Sequence, residues 1–309
     1  VDTPYAELAA EGSGDLDGAF DLSASVTSAS LTEVARSRTD RTIESGPVDI
    51  QLEASGELAP DGATPLDIVR ALEVDADWRL RDFRAEDTAK VGRSNGDVSI
   101  SVSTPEDRRS ARKLDFDILV RGGSVDTPFL RASSLYLEAR GEGIVVPPLD
   151  SPLETLEDLS TTFEFRTRRF RAGGASIDRA DLEGRLSRQT QHRPIEWSLE
   201  GTASGVDLGE PTLGEGRVDL SGTLELGVPN APFAVGSISA RGEASIEEFR
   251  AGETSVESAR AEIDVRGRLP ELDGSVSLEA SDVRAGGEHL EGLSADVGLD
   301  GQRRFQVSA

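Results

Sequence analysis

Leu16-Asp17-Gly18-Ala19-Phe20-Asp21-Leu22-Ser23-Ala24-Ser25-Val26 places an apolar residue or glycine at every even position and a polar residue at every odd one except Ala19. Successive side chains of a β-strand point to opposite faces, so a period of two makes a strand with one dry and one wet side. The pattern recurs along the chain. It returns at Val48, Ile50, Leu52 and Ala54; at Val74, Ala76, Trp78 and Leu80; at Val98, Ile100 and Val102; at Leu114, Phe116, Ile118 and Val120; and at Leu135, Leu137 and Ala139. It continues at Phe163 and Phe165; Trp197 and Leu199; Val218, Leu220, Gly222, Leu224 and Leu226; Ile238 and Ala240; Ile263 and Val265; Val276 and Leu278; and Ala295, Val297 and Leu299.

One apolar face per strand argues against a parallel sheet, whose strands are buried on both sides. It predicts an all-β fold of antiparallel strands arranged as a sandwich, a barrel or an open groove. Ser94-Asn95-Gly96-Asp97 and Leu272-Asp273-Gly274 read as tight turns between strands.

Two internal repeats stand out. In the first, an apolar residue, often followed by Arg-Ala-Gly, precedes a second apolar residue seven positions on. The copies are Phe170 to Ile177, Phe249 to Val256 and Val283 to Leu290, with a weaker one from Val206 to Leu213. Small or apolar residues follow at offsets of three, five and seven, as in Ala180, Leu182 and Gly184, so each unit reads as strand, short bend, strand. The second repeat relates residues 64–85 to 151–172. Thr64-Pro65-Leu66 with Val69, Leu72, Trp78 and Phe83-Arg84-Ala85 matches Ser151-Pro152-Leu153 with Leu156, Leu159, Phe165 and Phe170-Arg171-Ala172. Ser or Thr before Pro is a helix-start signal, and Leu66, Val69 and Leu72 share a helical face, which predicts one or two short helical turns leading into a strand. Residues 1–47 form a first region, an edge strand followed by a polar stretch from Ser28 to Gly46 that reads as an insertion or a poorly ordered loop. Residues 48–309 carry the repeating array.

The chain has 309 residues, of which 36% are hydrophobic and 5% aromatic, with 32 glycines and 14 prolines. So thin an apolar content suits a repeat protein, where each unit packs only on its neighbours. The formal net charge is −25, and lysine occurs only at Lys90 and Lys113. An acidic surface repels phosphate backbones and argues against nucleic-acid binding. Scarce lysine also fits a salty environment or a GC-rich genome. Without cysteine there is no disulfide, zinc-thiolate site or cysteine nucleophile. No apolar run reaches the ~18 residues a membrane-spanning helix needs. The opening Val1-Asp2-Thr3-Pro4 and the lack of methionine read as a fragment whose export signal or transmembrane anchor lies outside it.

The segments Pro65 to Leu72 and Pro152 to Leu159, the alternating strand after each, the Phe-Arg-Ala bends and the strand-bend-strand units to Ala309 resemble the AsmA-like and TamB-like envelope proteins of double-membraned bacteria. The resemblance covers most of residues 48–309. It implies an elongated repeat array of antiparallel amphipathic strands curled into a hydrophobic groove, a β-taco, similar in plan to bridge-like lipid transfer proteins. It further implies a periplasmic or cell-envelope location and a non-enzymatic role in moving phospholipid between inner and outer membranes, with outer-membrane assembly proteins as possible partners. The family works through a surface, so no catalytic or cofactor residue carries over. A groove built this way is lined by the apolar phase: Val74, Ala76, Trp78, Leu80, Val98, Ile100, Val102, Leu114, Phe116, Ile118, Leu135, Leu137, Phe163, Phe165, Leu182, Trp197, Leu199, Val218, Leu220, Leu224, Ile238, Ile263, Val265, Val276, Leu278 and Val297. The alternation alone equally allows a structural or adhesive module whose apolar phase is a closed core.

Signals of other chemistry are weak. His192 and His289 lie far apart without a partner at metal-ligand spacing, and no phosphate loop or nucleophile elbow occurs. The pairs Asp15/Asp17, Asp75/Asp77 and Asp115/Asp117 each share a wet strand face, as glycosidase acids or calcium ligands do. However, Trp78 and Trp197 fall on the opposite phase from such acids, and no full calcium loop is present. Arg166, Arg168, Arg169 and Arg171 form one basic cluster, suited to charge balance or to an anionic headgroup or acidic partner.

Overall fold

The computed structural model describes residues 6–15, 18–29, 43–59, 68–85, 89–108, 110–146, 156–190, 193–226, 235–268, 271–300 and 305–308. Its elements are all strands, and every pairing with a defined register is antiparallel. The chain divides into two units, Val1–Pro148 with Glu157–Thr167, and Leu149–Leu156 with Arg168–Ala309.

The first unit contains β1 (Ala6–Gly14), β2 (Ala19–Ser28), β3 (Ile43–Glu44), β4 (Val48–Leu58), β5 (Val69–Ala85), β6 (Ala89–Ser103), β7 (Arg112–Gly122), β8 (Val125–Asp126), β9 (Leu130–Ala132), β10 (Ser134–Val145) and most of β11 (Leu156–Ala172). β1 pairs with β2, β2 with β4, β4 with β5, β5 with β6, β6 with β7 and β7 with β10. The second unit holds the end of β11, then β12 (Ala175–Arg188), β13 (Ile195–Asp207), β14 (Thr212–Leu226), β15 (Val235–Ala251), β16 (Thr254–Arg268), β17 (Glu271–Ala285), β18 (Glu288–Asp300) and β19 (Phe305–Ser308). From β12 to β19 each strand pairs with the next. Both units are therefore up-and-down meanders, the topology that short connections between amphipathic strands favour.

The short strands are pieces of longer ones. Against β5, Val48 lies opposite Leu80 and Glu44 opposite Arg84, four residues further along each strand, so β3 and β4 form one interrupted strand. Likewise Gly122 opposes Ser94 and Val125 opposes Val91, joining β7 to β8; Leu135 opposes Gly122 and Ala132 opposes Val125, joining β9 to β10. Six segments, β6, β7, β10, β11, β9 and β8, close into a hydrogen-bonded ring, so the array here is not the simple open one expected from the sequence. The shared register shows what the ring encloses: the interruptions at Gly123-Ser124 and Ser133.

Those interruptions mark a line across each sheet where the ladder skips one residue. In the first unit Gly46, Asp82, Gly92, Ser124 and Ser133 occupy this row. In the second it is Asp178, Gly205, Gly214, Glu248, Glu257, Asp282 and Glu291. Asp82, Glu248 and Asp282 have φ of 49°, 54° and 49°, in the left-handed region. Such a residue kinks its strand without changing the register with its neighbours, so apolar positions step by three across it: Leu80 to Phe83, Ile246 to Phe249, Ala280 to Val283. An L-residue in this conformation carries about 1–2 kcal/mol of strain, which aspartate bears better than a β-branched residue. Asp82→Gly should raise the urea midpoint slightly, whereas Asp82→Val should cost about 1–2 kcal/mol; equal midpoints for the two variants would show that the left-handed conformation is not populated.

Two expectations from the sequence need correction. Ile68 is helical, but Val69 and Leu72 lie in β5 and Leu156 and Leu159 in β11, not on helical turns; Leu66 and Leu153 fall outside the described residues. The register explains the misreading. Between Leu58 opposite Val69 and Glu57 opposite Ala71, β5 carries one extra residue, Arg70. A bulge puts same-face residues three apart, which imitates helical spacing. Second, Asn95-Gly96 and Asp273-Gly274 are strand interior, in β6 and β17, and not turns. The true turns are the Arg-Ala-Gly repeats. Gly173 and Gly174, and Gly286 and Gly287, all have positive φ, as a two-residue type I′ hairpin requires. Phe249 lies opposite Val256 and Val283 opposite Leu290, so the spacing of seven is that of a cross-strand pair flanking such a turn.

Candidate functional site

Cross-strand register assembles the apolar phase into rows, because residues directly opposite one another share a face. In the first unit, one row runs Leu8, Val26, Ile50, Trp78, Gly96, Val120 and Leu137. The next runs Ala10, Ala24, Leu52, Ala76, Val98, Ile118 and Ala139, and a third Gly12, Leu22, Ala54, Val74, Ile100, Phe116 and Gly141. Leu80 sits opposite Val48, Val102 opposite Leu114, and Leu135 opposite Gly122 on the same face. A Cβ on Gly141 would meet Thr161 Oγ1 at 2.5 Å, which places Phe163 and Phe165 in the same phase of β11.

The second unit repeats the arrangement. Leu182, Gly201, Val218, Ala244, Ala261, Leu278 and Ala295 form one row. Gly184, Leu199, Leu220, Gly242, Ile263, Val276 and Val297 form the next. Trp197 lies opposite Leu186 and Gly222, Ile238 opposite Leu224 and Gly267, and Val265 opposite Ala240 and Gly274. Every lining position named from the sequence thus falls on one face of its own unit. Leu8, Leu22, Val26, Ile50 and Leu52 belong to the same rows and were legible by the same alternation, although the expected lining began only at Val74.

Glycines make room for the largest side chains on this face. The ring of Trp78 lies over Gly96, where a Cβ would stand 2.5 Å from Cζ2; Phe116 covers Gly141, and Phe20 covers Gly56. Trp78 Nε1 donates to Ser94 Oγ at 3.1 Å, which fixes the indole against its neighbour strand.

All 26 named lining residues are half-buried, shielded at their flanks by row neighbours. Among the described residues, the fully buried apolar side chains are five alanines with Val48, Ile195 and Val283, and none of them is a named lining position. Leu8, Leu22 and Ile50 are exposed outright. A closed sandwich core would bury most of such large residues.

The opposite faces are wet. A shallow depression of about 570 Å³ is flanked by Glu11, Asp21, Glu53, Glu73 and Asp75, and one of about 430 Å³ by Asp115, Asp117, Arg140 and Glu142. Within the latter, Lys113 Nζ lies 2.9 Å from Asp115 and Arg140 2.9 Å from Asp117, and these contacts hold both cations' pKa values above the ordinary range. Arg217 and Arg260 lie in one transverse row of the second unit, and Arg260 pairs with Glu243. The structure keeps Asp75 and Asp77, and Asp115 and Asp117, on a common wet face. Among the described residues no group of three or more acids or histidines is disposed to hold a metal ion. His289 pairs with Asp282 at 3.1 Å, and this hydrogen bond lowers the Asp282 pKa; His192 lies outside the described residues. In the arginine cluster, Arg166 pairs with Glu164 and stacks 5.5 Å from the Tyr136 ring centroid, opposite Arg121 at 6.0 Å. Arg168, Arg169 and Arg171 are exposed.

Comparison with known proteins leaves the geometry to stand alone: no family model, curated protein or solved structure matches the chain.

Proposed function

We propose that the chain is a non-enzymatic lipid-binding segment of an AsmA-like or TamB-like cell-envelope protein, whose apolar sheet faces form a curled groove that shields phospholipid acyl chains between inner and outer membranes. The observation that carries the reading is that every named lining residue, row after row, stays half-buried instead of entering a closed core, while Leu8, Leu22 and Ile50 of the same rows are exposed. Apolar rows of this extent that are not sealed into a core mark a binding surface. A 16-carbon acyl chain costs on the order of 13 kcal/mol to leave in water, at ~0.8 kcal/mol per CH₂, and rows of Leu, Val, Ile and Phe offset much of that. The carboxylate-rich opposite face keeps the segment in solution while the apolar face holds cargo.

Under this reading the groove acts in the periplasm, and membrane anchoring and contact with assembly proteins belong to the parent protein. Native mass spectrometry after gentle extraction should show co-purifying phospholipid, and the delipidated chain should take up a fluorescent fatty acid. A protein that carries no lipid and fails to take up the fatty acid would favour the structural or adhesive module instead.

A further inference from the structure

The tip of the β8–β9 hairpin carries a feature that the apolar faces do not explain. Phe129 is 84% exposed, far more than any other large apolar residue among those described. Its backbone is nonetheless held firmly. Thr127 N donates to Leu130 O at 2.8 Å, and Leu130 N donates to Thr127 Oγ1 at 3.0 Å, closing the turn through Pro128. An aromatic ring presented to water on a closed turn is placed there by the backbone and not by a frayed loop.

The strand ends around it are basic. From Arg79 to Ala85 in β5, Ala89 to Asn95 in β6, Arg121 to Asp126 in β7–β8 and Leu130 to Tyr136 in β9–β10, with Ile43–Glu44 of β3 alongside β5, seven cations face three carboxylates, one of which, Glu44, pairs with Arg84 at 3.6 Å. With Glu86 and Asp87 of the connecting segment included, cations still lead seven to five. The other ends of the same strands reverse this, with four cations against eight carboxylates. Lys90 lies opposite Asp126, which Arg131 pairs at 2.7 Å. Among the described residues Arg79, Arg81, Lys90 and Arg93 make no ion pair, an unusual state in a chain of net charge −25.

We propose that this rim is a membrane-docking edge: Phe129 inserts into the interface of an anionic phospholipid bilayer while the surrounding arginines and Lys90 contact its headgroups. The inference rests on the lipid-binding reading, and it adds where and to what kind of surface the sheet docks. Charge complementarity selects the bilayer. An acidic chain meets an anionic surface only through a locally basic edge, and polybasic segments combined with an exposed aromatic ring are what such interfaces retain.

The chain has no cysteine, so Phe129→Cys gives a unique site for an environment-sensitive dye, with Ser101→Cys on the acidic wet face as control. With vesicles of phosphatidylcholine and phosphatidylglycerol at 7:3, the dye at position 129 should brighten and shift to the blue, while the dye at 101 should not. Co-sedimentation with these vesicles should fall about tenfold in Phe129→Ser, and about thirtyfold for each cation reversed in Lys90→Glu and Arg131→Glu, a change of two charges each. Vesicles of phosphatidylcholine alone should bind weakly. Absence of binding to anionic vesicles, or binding that Phe129→Ser and Lys90→Glu leave unchanged, overturns the docking edge. Dye brightening that follows protein concentration without vesicles also overturns it, assigning the tip to contact between copies. Fatty-acid uptake by the same variants separates the two readings: docking fails with uptake intact if only the edge is wrong, and uptake fails in the parent chain if the groove is wrong.

Discussion

Gly96→Val should destabilise the first unit by about 3 kcal/mol, at the upper end of what overpacking costs. The added Cβ has nowhere to go. It would meet the Leu119 carbonyl oxygen on one side and Trp78 Cζ2 and Cη2, at 2.5 and 2.6 Å, on the other. The indole cannot swing aside cheaply, because Nε1 is bonded to Ser94 and the ring covers the row that continues to Val120. Gly298→Val supplies the control. That glycine also lies within a strand, β18, yet nothing stands within 4 Å of its Cβ position, so a β-branched residue there should change stability by no more than about 0.5 kcal/mol. Urea denaturation followed by far-ultraviolet circular dichroism measures both. Trp78→Leu in the Gly96→Val background should recover part of the loss, since the clash is with the ring. Comparable losses at positions 96 and 298 would mean that the cost is one of strand propensity and not of ring packing.

Gly96 also shows where the sequence was readable and where it was not. The alternation of apolar and polar residues located the strands, and with them the face each residue occupies, because a period of two needs only local information. The same string, Ser94-Asn95-Gly96-Asp97, looked like a turn because Asn-Gly is the strongest short hairpin signal. Nothing local reveals that the glycine is required by a tryptophan eighteen residues earlier, placed opposite it by the β5–β6 register. The helical reading of Leu66, Val69 and Leu72 holds only as far as Ile68, which is helical, for a related reason: a spacing of three is shared by a helix turn and by a bulged strand, and only the pairing of Leu58 with Val69 separates them. The row of interruptions through Asp82 and Asp282 was seen only as a bend beside Phe-Arg-Ala. Phe129 carries no signal in the sequence, since an isolated aromatic beside Pro128 belongs to no periodic pattern, and its exposure is a property of the folded turn.

Ile118→Asp and Leu199→Asp should leave each unit folded but abolish most lipid loading, a separation of effects that a closed core does not allow. Ile118 lies between Val98 and Ala139, and Leu199 between Gly184 and Leu220, each half-buried in the middle of its apolar face. A carboxylate at either position keeps contact with water, so the expected cost in stability is about 1–2 kcal/mol of lost apolar contact. In a filled core the same carboxylate would be stripped of water at a cost of several kcal/mol. Cargo feels the change differently, because an acyl chain laid along the row must dehydrate the charge in order to touch its neighbours. Loading should therefore fall at least tenfold, which needs only ~1.4 kcal/mol of that desolvation. Ile118 reports on the first unit and Leu199 on the second, so the two variants also tell whether both faces carry lipid. Thermal melting and fatty-acid uptake need to be followed on the same preparations. A collapse in melting temperature with no lipid in the parent protein would assign the rows to a closed core. Unchanged melting and unchanged uptake would remove the apolar face from the mechanism altogether. Loss of uptake in one variant alone would confine the binding surface to that unit.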